Sequence, residues 1–322
     1  MSPPLSLGGR GVRGEGKIMQ QLVSIITATK NYARFLPEAI DSVLAQTFAD
    51  WELIIVDDGS TDDTANVIAP FLYDKRIRYI RSDQLGQSRA KNLGIAMSQC
   101  EFVAFLDADD AWEPTKLEKQ LPLFRDDVGV VFTRRSMMDE TGTSLPPRIE
   151  TDPPRGRVLN ELFVQNFVCF SSAIVRRSLF DQIGRFDESL DLAIDYDLWL
   201  RAAPHTSFDY INEPLVRYRT GHGNLSCRIS DRVATAFSIM ERGVQRGGLS
   251  SAAIAEGYAS TSRTLGYILR HTEPMESLRW YWQAFRWPHD RLASFKGLLA
   301  AVYHGFIKAK IVGSTENQII KH

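Results

Sequence analysis

Cysteine is scarce in this sequence of 322 residues: Cys100, Cys169 and Cys227 lie far apart, form no CxxC pair and leave one thiol over. That pattern excludes a disulfide framework and fits a reducing compartment, the cytoplasm. Long apolar runs are missing too. The longest, Gly297 to Ile307, is bounded by Lys296 and Lys308 and interrupted by His304, well short of the ~20 residues that span a bilayer. Nor is there a surplus of charge: 38 Lys and Arg face 39 Asp and Glu, for a formal net charge of −1, so a general nucleic-acid binder, which needs a basic face, is excluded. Residues 1–21 have neither an apolar stretch nor periodicity, and read as a disordered segment rather than a secretory signal, with Met19 a candidate initiator.

What is present is a globular composition, 44% hydrophobic and 24% charged, arranged as alternating β-branched runs and amphipathic stretches. The pattern predicts strands at Leu22–Thr27, Trp51–Val56, Ile77–Arg81, Phe102–Leu106 and Val128–Thr133. Helices are expected at Arg34–Gln46, Thr64–Leu72, Gln87–Ser98 and Pro114–Phe124. Such alternation implies an α/β fold in which helices cover a mainly parallel sheet. Thr141 to Arg157 holds four prolines and two glycines without apolar periodicity and reads as a long surface loop, a candidate lid. Beyond it an extended stretch at Val168–Val175, helices at Arg177–Ile183 and Asp195–Ala202, and a last strand at Leu215–Tyr218 are expected. From about Arg228 only helical signals remain, three or four of them.

Ligands of open α/β sheets bind beyond the carboxyl ends of the strands. Two apolar strands here run into acidic clusters, Asp57-Asp58 and Asp107-Ala108-Asp109-Asp110. Each cluster alone reads equally well as turn and capping residues, but together they favour a site for a cation or a donor-rich ligand. After the first strand stands Thr27-Ala28-Thr29-Lys30-Asn31 rather than a dinucleotide-binding glycine motif. No phosphate-binding lysine loop and no EF-hand spacing occur either. Asp107 and Asp109, two positions apart, share a face in extended backbone and suit Mg²⁺ or Mn²⁺, which take one or two carboxylates together with substrate phosphates.

Taken in order, these residues resemble the family-2 glycosyltransferases of the GT-A fold. The resemblance rests on Val23-Ser24-Ile25-Ile26, Gln46-Thr47-Phe48, Glu52 to Asp62, Lys91-Asn92-Leu93-Gly94, Phe105 to Asp110, Gly184 to Glu188 and Asp195 to Arg201. It implies a GT-A-type (Rossmann-like) mixed, mainly parallel sheet over residues 22–228, with a helical extension over residues 229–322. It further implies an inverting transfer of sugar from a nucleoside diphosphate, UDP or dTDP favoured, to a hydroxyl of a glycan or lipid-linked acceptor in surface polysaccharide or glycolipid synthesis.

Residue by residue, the resemblance makes Asp195 the base that deprotonates the acceptor, with Ile194 standing where similar enzymes keep a glutamate. It puts Thr27, Thr29, Lys30, Asp57, Asp58, Lys91 and Asp107 at the nucleotide. Asp109, Asp107 and His222 fall to the metal, and Trp112 and Asp197 to the acceptor side. The plainer alternatives are an N-cap for Asp195, a solvated helix face for Lys91 and a core position for Trp112. In the tail, Trp280, Trp282, Phe285, Trp287, Phe295 and Phe306 are interleaved with Arg279, Arg286, Arg291, Lys296, Lys308 and Lys310. That mixture suits either peripheral contact with the cytoplasmic face of a membrane or a helical subdomain packed on the core. Two further functions stay open: a non-catalytic glycan or nucleotide-sugar binder, and a sugar-nucleotide nucleotidyltransferase, although the latter's glycine- and lysine-rich signature is missing.

Overall fold

The computed structural model describes residues 22–147, 151–223, 229–288 and 290–302. The N-terminal segment with Met19, Cys227, and His304, Phe306, Lys308 and Lys310 lie outside the described residues. One eight-stranded sheet organises the chain, in the order β3-β2-β1-β4-β7-β6-β8-β5. Its first half consists of β1 (Val23–Thr29), β2 (Trp51–Asp57), β3 (Ile77–Arg81) and β4 (Phe102–Phe105), all parallel. Between them run α1 (Leu36–Leu44), α2 (Thr64–Ile68) and α3 (Gln87–Met97). The α2 stretch tightens into a 3₁₀ turn over Ala69–Tyr73, where Pro70 removes a backbone donor.

Alternation explains how the sheet is buried. In β1, Val23 and Ile25 face the α1 side while Ile26 faces the side of α3. In β2, Leu53 and Ile55 join the α1 side, and Ile54 and Val56 pack with Ala90 of α3. A strand buried on both faces reads as a continuous apolar run, which is what Leu53 to Val56 displays. The α3 helix lies so close to β1 that a methyl group on Gly94 would meet Ile26 at 2.5 Å.

The second half is mixed and departs from the expected boundaries. A two-residue strand, β5 (Ala111–Trp112), and a short α5 (Leu159–Val164) stand where no element was expected. Pro114–Phe124 yields only α4 (Lys116–Gln120) and a 3₁₀ turn at Leu121–Leu123. The fifth predicted strand continues to Met138 as β6 (Val128–Met138), parallel to β8 (Ser207–Arg219), itself nine residues longer than predicted, 13 against 4. Val168–Val175 divides into a 3₁₀ turn at Phe170–Ser172 and β7 (Ile174–Arg176), antiparallel to both β4 and β6. Helices α6 (Leu179–Ile183) and α7 (Ile194–Ala202) complete the layer over this half.

After β8 the described chain is helical: α8 (Ile229–Arg246), α9 (Ser251–Leu269), α10 (Pro274–Arg286) and a further helix over residues 291–302. These helices return to the sheet domain. Ile239 and Met240 of α8 enter the same core as Trp199 of α7. A methyl group on Gly257 would strike the Phe163 ring at 2.7 Å, so α9 crosses α5 at close range.

Candidate functional site

The order β3-β2-β1-β4 places a switch of direction beside β1, where crossovers leave to opposite sides, and the crevice outside the strand ends opens there. The residues after β1, β2 and β4 therefore converge. Thr27 and Thr29 finish β1, both buried and each with a hydroxyl that has no hydrogen-bond partner. Lys30 beyond them is exposed, and Asn31 turns the chain with φ +60°. The Asn31 side chain accepts from the Thr61 amide at 2.8 Å, stitching the β1 end to the β2 end.

The two aspartates after β2 differ in role. Asp57 is fully buried and its oxygens are taken up within the scaffold: Oδ1 accepts the Ser60 amide at 2.8 Å and Oδ2 the Tyr79 hydroxyl at 2.6 Å, with Arg81 at 3.6 Å. This aspartate, expected at the nucleotide, instead holds the turn that carries its neighbour. Asp58 accepts the Leu85 and Gly86 amides, the latter at 3.0 Å, and so fixes the loop before α3. A carboxylate has about four lone-pair sites, which leaves Asp58 acceptor capacity for a ligand.

At the end of β4 the acidic loop is held from both sides. Asp110 is buried, accepts the Ser171 hydroxyl and, at 2.9 Å, the Arg219 amide, and its carboxyl is pushed well up by burial and then by Asp109 and Asp107. Arg219, itself buried, donates through Nε to the Asp109 carbonyl at 2.8 Å and pairs with Glu38 of α1. Asp107 keeps a third of its side chain exposed and faces Lys91, whose Nζ lies 3.1 Å from Oδ1. Burial raises the Asp107 carboxyl, Lys91 opposes this, and Asp109 and Asp195 add to it. Lys91 is thus no solvated face residue: it is buried and also sits over the Phe170 ring at 4.4 Å.

Asp109 and His222 meet across the crevice, Nε2 2.9 Å from Oδ2, yet that nitrogen is buried without an aligned hydrogen-bond partner. An orphaned imidazole nitrogen beside a carboxylate oxygen is a donor pair that fits a divalent cation. Among the described residues no group of three His, Cys, Asp or Glu comes together; Asp109 and His222 could supply two ligands to a cation that takes its remaining ligands from phosphate oxygens and water. Tyr32, which the sequence reading passed over, packs edge-on against His222 at 5.8 Å; burial and then Asp109 push its hydroxyl up.

Asp195 lies in the first turn of α7, one residue inside the helix rather than before it. Ala193 opens the helix in the left-handed region at φ +53°. The side chain is half-buried and Asn166 Nδ2 donates to its Oδ2 at 2.8 Å. A carboxylate there is favoured by the helix dipole. Ile194 beside it is buried in the core.

Two residues expected on the acceptor side are engaged within the scaffold. Trp112 is 2% exposed, donates its indole N–H to the Ser171 carbonyl at 2.7 Å and carries Lys116 over its ring, so it occupies a core position. Asp197 is fully buried and binds Arg201 at 2.8 Å and Arg246 at 3.2 Å, tying α7 to α8. Asn166 and Ser171 had no motif to announce them, and Arg219 drew notice only as a neighbour of His222; each acts through a partner remote in sequence.

A family model described as glycosyl transferase family 2 matches residues 24–184, half of the chain. An uncharacterised glycosyltransferase of Nostoc sp. PCC 7120 is 36% identical over 173 residues, 51% of this chain and 54% of that one. The chain therefore spans about half the length of that curated relative. Two solved structures share the fold. Staphylococcus aureus TarS 1-349, in complex with UDP-GlcNAc, superposes with a TM-score of 0.63 at 18% identity, covering 81% of this chain and 79% of that one. The mannosyltransferase PcManGT of Pyrobaculum calidifontis, in complex with GDP-Man and Mn²⁺, gives 0.58 at 19% identity, over 93% and 80%.

Proposed function

This chain belongs to glycosyl transferase family 2, and from that premise we propose that it transfers a sugar, with inversion, from a nucleoside diphosphate to an acceptor hydroxyl, Asp195 serving as the base. The observation that carries this reading is that a half-buried carboxylate, Asp195, stands in the first turn of α7 with one oxygen held by Asn166 at 2.8 Å and the other left for an acceptor. Asp195 itself lies beyond the segment matched by the family model, so its role stands on geometry alone.

In a single displacement the acceptor oxygen attacks the anomeric carbon from the face opposite the diphosphate, and its proton passes to the Asp195 carboxylate. Asn166, already donating to Oδ2, directs Oδ1 towards that proton. A positioned base of this kind contributes roughly 10²–10⁴-fold. On the donor side, Asp58 offers an acceptor for the imide N–H of uracil or thymine, which favours UDP- or dTDP-sugars. Thr27 and Thr29 offer unpartnered hydroxyls, and Lys30 and Lys91 flank the phosphates. Mn²⁺ or Mg²⁺ held by Asp109 and His222 would neutralise charge on the leaving diphosphate.

We further divide the chain into a catalytic domain over residues 22–228 and a helical region after it, working at the cytoplasmic face of a membrane on a glycan or lipid-linked acceptor. The test is calorimetric titration with UDP, dTDP and GDP, with Mn²⁺ or EDTA, alongside transfer assays of Asp195→Asn. Metal-dependent binding of one nucleotide is expected, unchanged in the variant, while turnover falls at least 100-fold. A folded protein that binds none of the nucleotides would favour the glycan-binding alternative.

A further inference from the structure

A second concavity borders Asn166, the residue that donates to the candidate base. Its volume is about 670 Å³, within the range of small-molecule sites, and none of Asp58, Lys91, Asp107 or Asp109 lines it. Strand β6, α5 and the first turn of α9 form its walls, and residues 151–154 of the proline-rich loop close one side. Asn166 belongs to this wall and also donates to Asp195. A ligand in the cavity is therefore separated from the candidate base by one side chain.

The lining chemistry narrows the ligand. Thr133, Gln165, Asn166 and Ser250 bring hydroxyl and amide groups that can both donate and accept, Glu161 and Glu256 bring acceptors, and Phe167 brings a flat apolar ring. Vicinal hydroxyls on a sugar ring need that combination. An anionic ligand is disfavoured, since the two lining cations face three carboxylates, and Arg134 is paired with Asp152 at 2.7 Å.

Resting on the transferase reading above, we propose that this cavity holds the acceptor as an uncharged oligosaccharide, so that the helices after the sheet domain help to select the acceptor. Glycan enters between the loop and α9, and its terminal hydroxyl passes Asn166 to reach Asp195.

The test uses the full chain on a printed array of neutral, sialylated and phosphorylated oligosaccharides, beside titration with UDP, dTDP and GDP in Mn²⁺. Ala252 lies on the cavity wall and is exposed, so Ala252→Trp fills the cavity without entering the core; circular dichroism checks its fold. Signal confined to neutral oligosaccharides is expected, falling at least tenfold in Ala252→Trp while nucleotide affinity stays within twofold. Three results overturn the pocket alone: nucleotide binding with no array signal, array signal indifferent to Ala252→Trp, and signal confined to phosphorylated glycans. Absence of nucleotide binding in the unmodified protein overturns the transferase reading and the acceptor role together.

Discussion

Single residues in this molecule take their meaning from who meets them, and Lys116 is the sharpest case. Its ammonium is wholly buried, has no hydrogen-bond partner and lies 3.8 Å from the centre of the Trp112 ring. Burial pulls its pKa well below the ordinary lysine value. Between that depressed folded value and the unfolded one near 10.5, the unfolded chain binds more protons, so stability rises as pH rises through the window. Lys116→Met, which keeps the packing and removes the amine, should stabilise the fold by about 1 kcal/mol near neutral pH. The advantage should shrink towards pH 10. Paired thermal melts across pH 6 to 10 measure both effects, and a constant difference would show that the amine is not the cause.

The same dependence on partners decides which site residues the sequence could disclose. Asp58, Asp107 and Asp109 stood out as candidates because they follow apolar strands, whose ends define the crevice. Trp112 and Asp197 share the chemistry of acceptor-binding residues, but only the fold reveals that Ser171 and two arginines already occupy them.

Between elements, ion pairs do what apolar contact does elsewhere. Asp197 of α7 meets Arg201 in its own helix and Arg246 of α8, with Arg242 3.8 Å away, and Asp187 holds Arg242 at 2.6 Å. Removing one member of a buried pair leaves its partners uncompensated, a loss of about 3–5 kcal/mol. Asp197→Ala should sit near the low end, about 3 kcal/mol, because Arg246 reaches solvent. Urea denaturation measures the loss, and hydrogen exchange should show α8 loosening before the sheet does.

Strands β1, β2 and β4 were readable because local apolar runs make them, and β3 because Ile77, Tyr79 and Ile80 favour extended backbone. The first half of β8 was not, since it carries Asp209 into the interior. That charge is tolerable only because Arg125 and Arg155 from other parts of the chain pair with it. No pattern within the strand signals such rescue.

At the scale of the whole molecule, the helical region combines packed and exposed apolar side chains. Its α8 and α9 close against the sheet domain, while Trp282, Leu292, Phe295 and Leu299 are between 48% and 64% exposed, in the company of Arg279, Arg286, Arg291 and Lys296. Among the described residues no helix is long and apolar enough to cross a membrane. Apolar side chains bordered by cations suit the interface of an anionic bilayer. Co-sedimentation with phosphatidylglycerol vesicles is expected at low salt, with phosphatidylcholine vesicles left unbound. Trp282→Asp with Phe295→Asp should reduce the bound fraction at least fivefold without changing the fold. Equal binding to both lipids would count against this orientation.

Arg219 links the whole assembly mechanically. Its guanidinium reaches the Asp109 carbonyl, the carbonyls of Asp139 and Glu140, and Glu38 of α1, so three distant stretches behave as one clamp. Glycines stand just outside it, Gly142 at φ +88°, Gly221 at +93° and Gly223 at +78°, a conformation other residues rarely adopt. His222 stands between the last two and packs against Tyr32 and Phe35, so Arg219 and His222 brace the acidic loop and its histidine against one and the same stretch, Tyr32 to Glu38.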